Sequence, residues 1–135
     1  MTSDEQKAVS ASRAKVRNYK ELVVWQKGME LAKQVYRVTQ SFPNEEKFGL
    51  VSQMRRAAVS IPSNIAEGQA RHTTKEFIQF ISHAEGSVAE LETQSILAVD
   101  LGYCTRQRTE EAFGLISDLR NMLNALRRTL MGVQR

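Results

Sequence analysis

Apolar side chains recur at spacings of three and four residues along most of this chain, and no other feature constrains its fold as strongly. Residues spaced in this way share one side of an α-helix, and that side has to be buried against other helices. Four segments carry the pattern, at about residues 19–41, 45–70, 74–101 and 105–131. Because β-type alternation is absent and the connections are short, the sequence predicts an all-α, antiparallel up-down four-helix bundle.

The first segment carries two adjacent apolar stripes. One stripe consists of Leu22, Trp25, Met29, Ala32 and Tyr36. The other consists of Val24, Leu31, Val35, Val38 and Phe42. The fourth segment adds Phe113, Ile116 and Leu123 beside its main stripe. This is more apolar surface than one small bundle readily covers, and surplus apolar surface is typical of an interface between protein chains.

Polar residues and one glycine mark the expected ends of the helices. Asn44 follows Phe42-Pro43 and is the predicted N-cap of the second helix. Thr73 and Glu76 have the spacing of a capping box, so the third helix is expected to begin there. Gly102 is the expected stop of that helix, and Thr105 the expected cap of the fourth.

Pro62 lies in the middle of the second segment and predicts a kink. A proline inside a helix cannot donate to the carbonyl four residues earlier, here that of Ala58, and costs about 3 kcal/mol. Ser60, Ser63 and Asn64 surround the proline. Their side chains can donate hydrogen bonds to the backbone, so a structural kink held by local hydrogen bonds is the simplest interpretation.

Composition favours a single small helical domain. Residues 1–18 are polar and carry a net charge of +2, which predicts a flexible basic N-terminal tail ahead of a bundle at residues 19–135. The only cysteine, Cys104, excludes a disulfide framework and suits a reducing compartment, so a cytoplasmic location is expected. Neither a run of about 18 apolar residues nor the apolar core of a signal peptide occurs, so no membrane association is expected.

The sequence lacks the usual signatures of an enzyme. Neither a phosphate-binding glycine loop nor a dinucleotide-binding glycine motif is present. Gln69 and Phe80 precede His72 and His83 by three residues, where the di-iron sites of helical bundles have glutamate. We therefore expect no catalytic residue, no cofactor and no metal. A hydrolase that uses His83 or Cys104 is a minor alternative, since no partner base is placed beside either of them.

Charge is unevenly distributed along the chain despite a net charge of only +4. Residues 75–103 carry −4, whereas residues 1–20 and 104–135 carry +3 each. Basic clusters of this kind are typical of proteins that contact a phosphate backbone. The candidate nucleic-acid-binding residues are Lys7, Arg13, Lys15, Arg17 and Lys20 near the N-terminus and Arg106, Arg108, Arg120, Arg127 and Arg128 on the last helix.

Arg55 and Arg56, which precede the proline, have two possible roles. They can pair with Glu90 or Glu92 of the acidic third helix, which would make them structural. Alternatively, they can face a phosphate backbone.

The sequence from Gln53 to Gly68, QMRRAAVSIPSNIAEG, resembles the 23S rRNA intervening-sequence proteins. Trp25-Gln26-Lys27, Phe42-Pro43, Ala84-Glu85-Gly86-Ser87, Glu90-Leu91-Glu92-Thr93-Gln94 and Leu101-Gly102-Tyr103 match as well, so the resemblance covers about residues 19–103. The residues that the resemblance marks as structural are Trp25, Arg55, Arg56, Ser60, Pro62, Asn64, Glu67, Gly68, Glu90 and Glu92.

The resemblance implies a four-helix bundle that assembles as a homopentamer. Members are encoded in bacterial genomes, some within 23S rRNA genes, and no enzymatic activity is implied. The family is similar to the accessory variability protein of diversity-generating retroelements, a basic pentamer that engages nucleic acid. The expected function is therefore a non-enzymatic oligomer that binds RNA or another nucleic acid through its backbone. The alternative is a protein–protein interaction scaffold without a nucleic-acid role.

Overall fold

A computed structural model describes residues 18–134. The helices are α1 (Val23–Thr39), α2 (Leu50–Gln69), α3 (Thr74–Asp100) and α4 (Arg106–Gln134), and this part of the chain contains no strand. Each helix packs against the next one in the chain, and α4 also packs against α1. The prediction of an all-α, four-helix protein is confirmed. Nearly all of the predicted N-terminal tail lies outside the described residues.

The first two helices begin later than predicted. Tyr19–Glu21 form a 3-10 turn, in which the Asn18 side chain accepts a hydrogen bond of 3.0 Å from the Lys20 N–H. The prediction that Asn44 caps the second helix is wrong, because Asn44–Glu46 form a separate 3-10 turn. The N–H of Leu50 instead donates to Glu46 Oε1 at 3.3 Å. A glutamate four residues earlier therefore takes the place of the expected asparagine.

The predicted ends around α3 and α4 are confirmed. Thr73 Oγ1 accepts from the N–H of Glu76 at 3.2 Å, and Thr105 Oγ1 accepts from the N–H of Arg108 at 3.1 Å. Gly102 has a φ of +76°, a conformation that side chains other than glycine rarely adopt. Its N–H bonds to the carbonyl of Val99, which helps to terminate α3.

The two apolar stripes of α1 differ in how deeply they are buried. Val24, Leu31, Val35 and Val38 are buried and meet buried residues of the other three helices. The stripe that contains Trp25 and Met29 is only partly covered. On α4, Ile116 and Leu123 are fully buried, so the prediction that they form surplus surface is wrong. Both side chains are covered by the core of the chain itself.

Pro62 lies inside α2, which continues without interruption from Leu50 to Gln69. Asn64 Nδ2 donates to the Ser60 carbonyl at 2.7 Å and to Ser60 Oγ at 2.9 Å. The Ser60 and Ser87 hydroxyls are 2.8 Å apart, which links α2 to α3. Local side-chain hydrogen bonds therefore surround the proline as predicted, although the Asn64 amide bonds to Ser60 and not to Ala58.

Gly68 allows α2 and α3 to approach each other closely. A methyl group on Gly68 would lie 2.8 Å from Cβ of Phe80 and 2.9 Å from Cδ1 of Phe77. Only hydrogen fits at this distance, so the glycine fixes the packing at the turn between these helices.

Within residues 18–134, none of the helices combines the length and the apolar character needed to cross a lipid bilayer.

Candidate functional site

The surface between α1 and α2 holds two neighbouring grooves. The first, which we call the apolar groove, has a volume of about 320 Å³. Its lining includes Tyr19, Trp25, Met29, Ala32, Val59 and Pro62. The second, which we call the basic groove, has a volume of about 480 Å³. Its lining includes Tyr36, Lys47, Phe48, Arg55, Arg56 and Val59.

The 3-10 turn before α1 builds one end of the apolar groove. Gln26 Nε2 donates to the Lys20 carbonyl at 2.9 Å, which ties the turn to the helix. The Tyr19 ring then meets the Trp25 ring edge-on, with 5.3 Å between the ring centres. Because Trp25 keeps part of its surface exposed, this end of the groove offers an aromatic surface to another molecule.

The basic groove contains the most exposed large apolar side chain among the described residues. Phe48 is 89% exposed and lies between the second 3-10 turn and α2. The Lys47 ammonium lies 5.6 Å from the centre of the Phe48 ring. Tyr36 and Val59 are each 43% exposed. Aromatic surface and positive charge therefore lie side by side in this groove.

Arg55 is held in the basic groove by uncharged partners. Its Nε donates to Thr39 Oγ1 at 2.9 Å and one terminal nitrogen donates to the Tyr36 carbonyl at 3.4 Å. The guanidinium lies 4.5 Å from the centre of the Tyr36 ring. The predicted pairing of Arg55 with Glu90 or Glu92 is therefore wrong, because Arg55 turns toward α1 instead of α3.

Arg56 and the glutamates of α3 also differ from the predicted pairing. Arg56 is exposed, and among the described residues no ion pair joins it to either glutamate. Glu90 accepts a hydrogen bond of 3.2 Å from Gln94, one helical turn further on. Glu92 forms an ion pair with Arg120 of α4.

Two of the candidate arginines on α4 are paired with carboxylates of α3. Arg120 pairs with Glu92, and Arg127 Nε lies 2.9 Å from Glu85 Oε1. Both pairs are partly exposed, so each contributes roughly 0–1 kcal/mol to stability. Their main effect concerns the surface charge, since each carboxylate offsets the arginine that was expected to attract phosphate.

The remaining candidates on α4 differ in their surroundings. The Arg106 guanidinium lies 3.7 Å from the centre of the Phe113 ring. Arg108 donates to the carbonyl of Arg37, near the end of α1, at 3.3 Å. Arg128 and, at the other end of the chain, Lys20 are exposed. The candidates Lys7, Arg13, Lys15 and Arg17 lie outside the described residues.

A separate apolar surface lies near the end of α3. Ile96, Leu97 and Leu101 are each about half exposed, and we call them the α3 patch. The patch belongs to a different helix from those that form the two grooves, so the bundle leaves apolar surface uncovered in more than one place.

His83 and Cys104, the two groups considered for catalysis, differ in their surroundings. His83 is exposed and its ring meets that of Phe80 edge-on. Burial raises the pKa of the Cys104 thiol, and the nearby Arg108 lowers it by a smaller amount. Among residues 18–134, no group of three His, Cys, Asp or Glu side chains is arranged to hold a metal ion.

Several of the residues marked as structural by their motif make contacts between helices. Ser60 bonds to Ser87, Gly68 packs against the start of α3, and Pro62 lies against Gly28 of α1. Glu67 is exposed.

Sequence reasoning missed Lys47 and Phe48, although a large aromatic residue outside every helical stripe was a usable signal.

Comparison with known proteins shows to which family this chain belongs. No curated protein matches the chain. The family described as 23S rRNA-intervening sequence protein matches residues 20–125, which include α1 to α3 and most of α4. The matched region therefore contains the basic groove, the α3 patch, the ion pair between Arg120 and Glu92, and all of the apolar groove except Tyr19. This chain belongs to the 23S rRNA-intervening sequence protein family.

Proposed function

We propose that this protein is a non-enzymatic homo-oligomer, with five copies in a ring, that binds nucleic acid through its phosphate backbone. The observation that carries the proposal is the presence of uncovered apolar surfaces on different helices, the apolar groove and the α3 patch. The single cysteine supports a reducing compartment such as the cytoplasm.

A ring requires two different surfaces on each copy. In a cyclic assembly of five, one surface of a protomer meets a different surface of the next protomer. The apolar groove and the α3 patch meet this requirement, because they lie on different helices. The family resemblance supports five as the number of copies.

Contacts between the helices support an antiparallel, up-down arrangement within each copy. Glu85 pairs with Arg127 and Glu92 with Arg120, so seven residues forward on α3 correspond to seven residues back on α4. Contacts between α1 and α4 follow the same rule, since Lys27 pairs with Asp118 and the Arg37 carbonyl accepts from Arg108.

We also propose that Pro62 bends α2 and shapes the apolar groove. The proline removes one backbone hydrogen bond, and its ring forms part of the groove lining. Replacing Pro62 with alanine is expected to straighten α2 and to lower the mass of the assembly. An unchanged mass together with an unchanged melting temperature would contradict this role.

Assembly is tested by placing a charge on each apolar surface in turn. Val59→Glu places a charge in the apolar groove, and Leu97→Glu places one in the α3 patch. Both side chains are half exposed, so the fold should tolerate either change. Each variant should have the mass of one chain, 15.3 kDa, where the wild type has about five times that mass. Light scattering coupled to size-exclusion chromatography measures the masses of the variants and of the wild type.

Mixing the two variants tests whether the interface joins unlike surfaces. Each variant keeps one intact surface, so an equimolar mixture should form a pair of chains but no ring. Val133→Glu is the matched control, because Val133 is an exposed valine on α4 outside both surfaces. Full assembly of both variants, or a monomeric wild type, would refute the proposed ring.

Nucleic-acid binding is supported by the net charge of +4 per chain and by exposed cations such as Lys20, Arg56 and Arg128. Five copies would allow weak phosphate contacts to act together. Binding to a blunt RNA duplex should weaken by about 1,000-fold or more between 50 and 200 mM salt if six or more phosphates are contacted. The absence of binding at low salt would refute this part of the proposal.

A protein–protein scaffold is the second candidate, because carboxylates offset Arg120 and Arg127. A partner protein would then bind to the uncovered apolar surfaces. Capture of the same partner before and after nuclease treatment, with no direct binding to purified RNA, would favour this candidate.

A further inference from the structure

The basic groove combines three cations with a lining that contains no carboxylate. Lys47, Arg55 and Arg56 are the charged residues of this lining. The nearest acidic side chain in sequence, Glu46, turns elsewhere, since it accepts hydrogen bonds from Tyr103 at 3.0 Å and from the N–H of Leu50. A groove with charges of a single sign concentrates anions near its surface.

Arg55 is positioned in advance for an anionic ligand. Its partners are a hydroxyl, a carbonyl and the face of the Tyr36 ring, and none of these neutralises the guanidinium charge. Because these contacts already hold the side chain, less conformational freedom is lost when it binds a phosphate. This differs from Arg120 and Arg127, which a phosphate would have to separate from carboxylates.

Phe48 supplies a second kind of contact in the same groove. At 89% exposed, its ring is open to a flat partner, and the Lys47 ammonium lies 5.6 Å from the ring centre. Cationic grooves with aromatic side chains bind single-stranded nucleic acid, because unpaired bases stack on the rings. A duplex keeps its base faces stacked inside the helix and offers mainly phosphates and sugars.

We infer that the basic groove binds single-stranded nucleic acid, with a base stacked on Phe48 and neighbouring phosphates on Arg55 and Arg56. This inference rests on the proposed function and adds the type of strand and the place where it binds. The groove volume of about 480 Å³ lies within the usual range for small-ligand sites, so it can accept part of one nucleotide.

The charge of the groove argues against a second copy of the chain as its occupant. A protein surface packed over Lys47, Arg55 and Arg56 would remove three cations from water, which is unfavourable unless carboxylates meet them. A nucleic-acid strand brings a negative charge with every nucleotide, and so it satisfies the cations and the aromatic ring at once.

The test compares a fluorescein-labelled oligouridylate with a blunt RNA duplex of the same length, using fluorescence anisotropy and the full chain. Phe48→Ala should weaken binding of the oligouridylate by about 5- to 150-fold, the range found for loss of one base-stacking contact, and leave duplex binding unchanged. Val133→Ala is the matched control, an exposed apolar residue on α4. Arg56→Gln should reduce the salt-dependence slope for the oligouridylate by about 0.7.

The possible outcomes separate this inference from the proposed function. Equal loss of oligouridylate affinity in Phe48→Ala and Val133→Ala, or no loss in either, would overturn the inference and leave general phosphate binding standing. No binding of either probe by the wild type at low salt would overturn both. A reduced assembly mass in Phe48→Ala would show that the groove is an interface between copies, and would also overturn the inference.

Discussion

Replacing Gly68 with alanine is expected to destabilise the protein, although alanine favours helices more than glycine does. The new Cβ would lie 2.8 Å from Phe80 Cβ and 2.9 Å from Phe77 Cδ1. Carbon atoms pack favourably at about 3.5–4.0 Å, so α2 and α3 would have to separate by roughly 0.7 Å. Phe80 Cβ is bonded to the backbone, and so no side-chain rotation can relieve this contact.

The free energy of unfolding follows from two opposing effects. Overpacking of this kind costs about 1–3 kcal/mol, whereas replacing glycine inside a helix gains about 0.5–1 kcal/mol. The net loss is therefore at most about 2.5 kcal/mol, with a central value of about 1.25 kcal/mol. Gly114→Ala is the matched control, because a Cβ at Gly114 on α4 meets no atom within 4 Å. That variant should gain stability by about 0.5–1 kcal/mol.

Urea unfolding followed by circular dichroism measures both variants. With a slope of about 1–3 kcal/mol per molar urea, a loss of about 1.25 kcal/mol should move the midpoint of Gly68→Ala down by about 0.4–1.3 M. All samples need the same protein concentration, since assembly contributes to apparent stability. If Gly68→Ala were as stable as Gly114→Ala, the close approach of α2 and α3 at Gly68 would not constrain the packing.

Three smaller effects follow from single contacts. Thr73→Ala removes the cap of α3 and should cost about 1 kcal/mol in urea unfolding, whereas Thr73→Ser should retain most of it. A double-mutant cycle on Arg120 and Glu92 should give a coupling energy below about 1 kcal/mol that shrinks as salt is added. The hydrogen bond from Tyr103 to Glu46 raises the pKa of Tyr103 above its usual value near 10. Its stabilising effect is therefore complete below pH 10 and is lost as pH rises through the folded-state pKa. A 295 nm titration of wild type against Tyr103→Phe checks this shift, and Glu46→Gln should reduce it.

The helices were predictable because their signals are local. Thr73, Gly102 and Thr105 mark helix ends through contacts within three or four residues, and the structure has each of them in that role. The prediction that Asn44 caps α2 was wrong because a 3-10 turn forms at Asn44 in place of the helix. The Glu46 carboxylate reaches the start of α2 instead.

Side-chain partners across helices were harder to predict than the helices themselves. Pairing with α3 was one of the two roles expected of Arg55, but Arg55 turns toward Thr39 and Tyr36 of α1. A helical stripe defines which residues share a side of one helix, but it does not define the rotation of that helix relative to two neighbours. The same limit explains why Ile116 and Leu123 were assigned to surplus surface, although both are fully buried.

The candidate sites changed most between sequence and structure. Charge along the chain pointed to the arginines of α4, whereas Arg120 and Arg127 lie beside carboxylates of α3. Three cations without such neighbours lie together in the basic groove, where Lys47 and Arg55 come from different segments of the chain. Only their spatial arrangement brings them together with Phe48, so a count of charges along the sequence could not reveal the groove.

Native mass spectrometry of the full chain with an added oligouridylate tests the central proposal most directly. It measures the number of chains and the bound nucleic acid in one spectrum. The proposal predicts a species with about five times the 15.3 kDa mass of one chain that carries oligouridylate at low ionic strength. A single 15.3 kDa chain that carries no oligouridylate would contradict it.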